Sequence, residues 1–365
     1  MNTIGPLIIN IDGVMLSKDE AKLLEHDLIG SVILFSHNYN DIEQLNKLIK
    51  DIKNVKDNIL ISVDHEGGRI QRFQKGFTKL PSFKEIGSLH SDDETPNISE
   101  ASKLAYACGF VSGHELSKAG VDINFSPVVD INRNLLEMNQ YVLKDRCFSD
   151  NIETILNLAK SYVSGSLCGG ITPVLKHYPG HGAITGDTHT DYCTSDLVYD
   201  DLLEDLLPFL TLHAFTSGSI PIMTSHIKFP NVDDKIVTYS KKWLTDIPKS
   251  WASDREVFFI SDDLEMKAAV TQEEITATKR VINALEAGCN MVIATTLLKN
   301  DIVESKKSHE YFNKYYLTQE LIDYSKNFCN DIINNSLGLK KNKKIIADYS
   351  SSYEDNLSLI KQYRL

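Results

Sequence analysis

The sequence predicts an α/β fold of one domain, a (β/α)8 barrel of the TIM type. Three observations carry this. Eight short apolar runs are spread along most of the chain, helix-compatible segments separate them, and polar or titratable residues directly follow seven of the eight. Short apolar strands alternating with longer amphipathic segments build a parallel sheet covered by helices. Eight such units over roughly 300 residues point to a closed barrel with insertions, whose active sites sit at the C-terminal ends of the strands. A doubly wound open sheet is the alternative.

Taken in order, Leu7–Ile11 is the first run and Asp12 follows it, while Val32–Phe35 is the second and His37 and Asn38 follow. The amphipathic stretch Asp41–Ile52 leads to Ile59–Val63, which ends in Asp64-His65-Glu66-Gly67-Gly68-Arg69 with Arg72 just beyond. The glycine pair allows backbone to approach a ligand closely. Asp64 and Arg72 suit contacts to a polyol or carboxylate, and equally an Asp–Arg pair holding a turn. Ser99–Ala119 is the next helix, and Val121–Phe125 the fourth run, followed by Pro127 and Asp130. Asn151–Leu167 is helical, and Thr172–Leu175 is the fifth run. Pro173 lacks the donor a central ladder needs, so it belongs at that strand's start.

The fifth run opens into the densest chemistry of the chain, Lys176 to Asp191, with three histidines, two aspartates and a lysine. Its proline and glycines exclude a helix over most of it. The histidines His177, His181 and His189 with Asp187 invite a zinc reading, but Pro179 and Gly180 break the helix that His-x-x-x-His spacing needs. Asp187-Thr188-His189 offers another use: on an extended segment both side chains fall on one side. The carboxylate then orients the imidazole, which becomes a proton shuttle near neutral pH. Ile220–Met223 ends in Ser225 and His226, and Val257–Ile260 in Ser261-Asp262-Asp263; Met291–Ala294 is the last run. For the tandem aspartates three readings stand open: a nucleophile toward an anomeric carbon, a ligand of a hard metal ion, or a helix cap.

Composition narrows the class. A net charge of −12 over 365 residues argues against a nucleic-acid binder, which shows a basic face. The cluster Lys340–Lys344 is the one candidate for a local basic patch, and it reads more simply as a solvated turn. No stretch approaches a membrane span or a secretory signal. The six cysteines form no Cys-x-x-Cys pair, which suits reduced thiols in a cytoplasm. No phosphate loop, dinucleotide fingerprint or Gly-x-Ser-x-Gly elbow is present.

These pieces together resemble glycoside hydrolase family 3, and within it the single-domain N-acetyl-β-glucosaminidases of bacterial peptidoglycan recycling. The likeness runs from Ile8 to about Gly338. It rests on Ile33-Leu34-Phe35, Asn38-Tyr39, Asp64 to Phe73, Phe125 to Asp130, Lys176 to His189, Ser225-His226 and Ser261 to Met266. It implies a domain over residues 1–340, followed by a tail or helix over 341–365. It also implies a retaining exo-enzyme that needs no metal or cofactor and removes GlcNAc from GlcNAc-anhydromuramic acid, with or without peptide. Asp262 would be the nucleophile and His189 with Asp187 the acid/base pair. Asp64, Arg72, Arg146, Lys176 and His177 would hold the sugar. A neutral imidazole would not repel an anionic acceptor, which keeps phosphorolysis as an alternative. An impaired, sugar-binding barrel is another.

The chain departs from the family pattern in four places. His65 replaces a usual glutamine, His37 a common arginine and Asp145 a glycine, while Ser250–Glu256 lacks a glycine-rich approach.

Overall fold

In the computed structural model the described residues are 4–89, 100–133, 142–182, 184, 186–216, 220–252, 257–270, 277–295 and 352–363. Every one of the eight apolar runs forms strand. They are β1 (Leu7–Asn10), β2 (Ile29–Leu34), β3 (Leu60–Val63), β4 (Ile123–Asn124), β5 (Thr172–Pro173) with β6 (Leu175–Tyr178), β7 (Ile222–Thr224), β8 (Phe259–Asp263) and β9 (Cys289–Ile293). The fifth run is split in two at Val174. The order across the sheet is β5-β4-β3-β2-β1-β9-β8-β7-β6, with every pairing parallel. Because β5 and β6 are halves of one segment, the two ends of the sheet meet there and the barrel closes. A parallel bridge between Val128 and Lys176 adds to the seam. Pro173 therefore stands at the break between the halves, where its missing donor costs least, instead of at the strand's start.

Side-chain alternation along the strands separates two cores, as the period of two requires. Ile8, Ile33, Leu60, Ile123, Ile260, Met291 and Ile293 point inward and fill the barrel. Leu7, Ile9, Val32, Leu34, Ile61, Val63 and Phe259 point outward, beneath the helices. Each such side chain stabilises the fold by roughly 1.5–3 kcal/mol.

The covering helices follow their sequence signals. Asp41 caps α1 (Ile42–Val55) by accepting from the Gln44 N–H, and Asn151 caps α3 (Ile152–Gly169) by accepting from the Thr154 N–H. Helix α2 (Glu100–Lys118) lies against α3. Residues 352–363 include a further helix, α4 (Tyr353–Gln362), that docks on α2. Ile360 is buried there, and Tyr353 and Tyr363 donate to Glu115 and Glu100. The boundary at 340 and the cluster Lys340–Lys344 lie outside the described residues.

Candidate active site

The C-terminal ends of β3, β6 and β8 and the loop after β6 enclose a cavity of about 490 Å³. Asp64, Arg72, Arg146, Lys176, His177, Asp187, His189 and Asp262 all line it. Two of the strands run further than their apolar runs suggest: Lys176 and His177 lie within β6, and Asp262 and Asp263 within β8. Adjacent residues of a regular strand face opposite ways, yet both Lys176 and His177 reach the cavity. The register of β6 on β7 slips between its Leu175–Ile222 and Tyr178–Thr224 pairings, placing one extra residue on β6.

At the floor, Glu66 is almost wholly enclosed. Its carboxylate accepts from Arg146 through Nε at 2.9 Å and Nη2 at 2.8 Å, and lies 2.7 Å from Lys176 Nζ. Burial alone would raise this carboxyl; the Arg146 and Lys176 charges overcome it and hold the group far below the usual carboxylate range. Lys176 Nζ also donates to Asp64 at 2.8 Å, and Arg72 lies 3.8 Å from Asp64. Sequence reasoning placed Glu66 at a strand end but gave it no role. Its partners come from segments 80 and 110 residues away, which no local spacing reveals.

Beside this cluster, Asp130 Oδ2 lies 2.7 Å from His177 Nδ1. Burial would raise the Asp130 carboxyl, but His177 and His181 hold it low. An ionised Asp130 fixes the His177 proton on Nδ1, so Nε2 accepts from Arg146 at 3.4 Å. Asp130 is a second residue left unassigned by the sequence. Its Oδ1 also accepts the backbone N–H groups of His177 and His181.

The tandem aspartates divide their work. Asp263 accepts from Thr295 Oγ1 at 2.7 Å and from the Glu265 N–H at 3.1 Å, which is a turn-holding role. Burial and the neighbouring carboxylates push Asp263 up to about 6. Asp262 instead opens to the cavity. Its enclosure would raise its carboxyl, but His177, His226, His189 and the Asp263 N–H hold it below the ordinary value. His226 sits beneath, 3.0 Å from the Asp263 carbonyl and 2.8 Å from Thr238 Oγ1. Among the described residues no group of three or more His, Cys, Asp or Glu is disposed to hold a metal ion.

Asp187 and His189 do pair, though through a turn and not on an extended segment. Asp187 Oδ1 takes the His189 backbone N–H at 2.9 Å and lies 2.7 Å from its Nδ1. The Asp187 carbonyl accepts from the N–H groups of Thr190 and Asp191. An aspartate that bonds the backbone two residues on makes such a turn by itself. Partial burial raises the Asp187 carboxyl, and its bonds to His189 bring it below its ordinary value.

The departures resolve individually. Asp145 turns away from Arg146 and takes Arg69 Nε at 2.7 Å, so the Arg146–Glu66 pairing is undisturbed. His65 points into a nest of Phe73 and Phe77, away from the cavity. His37 stacks on Phe35 with Nε2 3.2 Å from the Ile11 carbonyl. In Ser250–Glu256, residues 253–256 lie outside the described set. The glycines after Glu66 serve the chain itself: a Cβ on Gly67 would stand 2.4 Å from the Pro81 carbonyl oxygen. The close approach expected there is to the 80–82 segment, not to a ligand.

A closed parallel barrel with a polar cavity at its C-terminal rim, where an open carboxylate meets a carboxylate-oriented imidazole, is the architecture of an enzyme of the glycoside hydrolase class. The chain belongs to glycosyl hydrolase family 3, whose N-terminal domain model matches residues 6–327. A protein named beta-hexosaminidase from Nitrosomonas eutropha is 38% identical over 292 residues, 80% of each chain. One of the same name from Chromobacterium violaceum is 38% identical over 291 residues, 79% of this chain and 78% of its own. Among solved structures, NagZ from Neisseria gonorrhoeae in complex with N-trifluoroacetyl-D-glucosamine superposes with a TM-score of 0.78 at 29% identity. It covers 100% of this chain and 99% of its own. A family 3 beta-N-acetylglucosaminidase from Paenibacillus shares the fold at TM-score 0.75 and 23% identity, covering 98% of this chain and 66% of its own.

Proposed function

We propose that this protein is a retaining exo-β-N-acetylglucosaminidase acting by double displacement. Its substrate is GlcNAc joined to an anhydromuramic sugar, with or without a stem peptide, as arises in peptidoglycan recycling. The observation that carries the reading is the meeting of an ionised Asp262 with the Asp187–His189 pair in one cavity. Asp262 attacks the anomeric carbon while the His189 imidazolium protonates the departing oxygen. The neutral imidazole then takes a proton from water as water releases the sugar from Asp262. Asp187 orients the ring and stabilises its charged form. Asp64 accepts from sugar hydroxyls, and Arg72, Arg146 and Lys176 donate; His177 Nε2 is held toward the same space.

The names of the relatives and the N-acyl glucosamine bound by the gonococcal neighbour support this substrate class. Among the described residues, the reduced thiols of Cys108, Cys147, Cys193 and Cys289 fit a cytoplasmic site of action. Among the described residues no helix is long and apolar enough to cross a membrane.

The test is release of nitrophenol from 4-nitrophenyl N-acetyl-β-glucosaminide with the plain β-glucoside as control, followed by the natural disaccharide. Turnover of the N-acetyl substrate alone is expected, and turnover of neither would leave a sugar-binding barrel. Running the assay with and without phosphate separates the acceptors. Free GlcNAc under both conditions is expected, and sugar 1-phosphate would replace hydrolysis with phosphorolysis.

A further inference from the structure

We propose that Thr188 is a positioning residue, pinned by His181, that fixes where the Asp187–His189 pair stands over the cavity. The inference rests on the acid/base role proposed above for that pair. The two hydrogen bonds between Asp187 and His189 are internal to their turn. They set the geometry of the pair but not its distance from Asp262.

That distance is set by what holds the turn to the barrel. Between Ile184 and Cys193, Thr188 is the one buried residue among those described. The flanking side chains are far more open, at 37% for Asp187 and 61% for His189. Thr188 Oγ1 lies 3.3 Å from His181 Nε2. The Thr188 carbonyl accepts from the Ala268 N–H at 3.0 Å, and the His189 carbonyl from the Lys267 N–H at 3.2 Å. Those two donors belong to the segment just after Asp262, so the turn is tied to the strand end that carries the proposed nucleophile.

His181 is built to be the fixed half of this pin. Its backbone N–H is held at 2.9 Å by Asp130, the carboxylate that also orients His177. Burial and the nearby His177 and Arg146 push its imidazole down to about 4, so the ring is neutral. Its Nδ1 has no partner among the described residues. A buried N–H without an acceptor is the rarer and costlier state, so the proton belongs on Nε2, which donates to Thr188 Oγ1. One carboxylate thus orients a sugar-facing imidazole and, through His181 and Thr188, the acid/base pair.

The experiment measures kcat/KM on a series of aryl N-acetyl-β-glucosaminides, from the 2,4-dinitrophenyl to the phenyl leaving group. Wild type, Thr188→Val, Thr188→Ala and Thr188→Ser are compared, with thermal melts to verify folding. Activated leaving groups depart without protonation, so only poor ones report on the proton donor. A misplaced acid lowers kcat/KM on the phenyl substrate by about 10–100-fold. The dinitrophenyl substrate is expected to change by less than about threefold, and Thr188→Ser to behave as wild type. Thr188→Ala is carried beside Thr188→Val so that a folding defect in one leaves the other to read. Equal loss across the series, no loss, or failure of serine to restore the phenyl rate would overturn the pin. A wild type that turns over no substrate would instead overturn the proposed activity, and the inference with it.

Discussion

Asp262 and Asp263 are adjacent and chemically identical, and nothing in their spacing separates the proposed nucleophile from the turn residue. Asp263 is committed to Thr295 and the Glu265 N–H, while Asp262 faces three imidazoles. Asp262→Ala is expected to abolish measurable turnover with the fold intact. His189→Ala is expected to lose about 10²–10⁴-fold on poor leaving groups but far less on 2,4-dinitrophenyl substrate. Steady-state rates and melting curves check both; full activity in either variant would refute its role. Glu66 was legible only as a polar residue after a strand, because its importance lies in two distant cations. Glu66→Gln keeps the shape but leaves Lys176 and Arg146 short of one counter-charge. It should cost about 3–5 kcal/mol of stability and raise KM more than it lowers kcat. Denaturant titration and kinetics read the two effects separately.

At the scale of elements, apolar runs and the amphipathic stretches between them were sufficient to locate the barrel strands and the main helices. Register was not legible: the split at Val174 and the slip of β6 on β7 depend on neighbouring strands. The contact between α2 and α3 is another case. Gly109 faces the Tyr162 carbonyl, where a Cβ would stand at 2.2 Å, and Gly165 faces the Tyr106 carbonyl at 2.1 Å. Both helices thus meet backbone to backbone through glycines, a pattern the sequence displays but whose partner it does not name. Gly165→Ala forces these backbones apart and is expected to lower stability by about 1–3 kcal/mol with kcat/KM unchanged. Thermal or urea unfolding beside an activity assay checks this; an unchanged melting temperature would mean that the helices can separate freely.

Over the whole molecule, the response to acid is decided by buried groups that pull in opposite directions. His65 is wholly buried among aromatic rings with both ring nitrogens unpartnered among the described residues. Burial and nearby Arg72 push it down to about 3, and His181 is pushed down to about 4. A folded-state value below the ordinary 6.5 means that the unfolded chain binds more protons, so stability falls as pH drops through 6.5. Near pH 5 each imidazole costs about 2 kcal/mol by linkage. Asp263 acts the other way. Raised to about 6, it favours the protonated folded state, so lowering the pH from 7 to 5 returns about 1 kcal/mol. Acid also relieves the self-repulsion of a chain with net charge −12, but exposed charges are screened by salt. The imidazoles of His65 and His181 outweigh the Asp263 carboxyl, while His226, held low by burial, adds to the loss and Asp205, held high by burial, offsets part of it; the protein is expected to lose about 2–3 kcal/mol between pH 7 and pH 5. His65→Gln carries no titrating ring, so it should remove most of one imidazole's share whatever it does to stability at pH 7. Guanidinium unfolding of both proteins at the two pH values reads the difference directly. An equal pH dependence in wild type and His65→Gln would show that His65 is protonated to the same extent folded and unfolded, and that the acid response arises elsewhere.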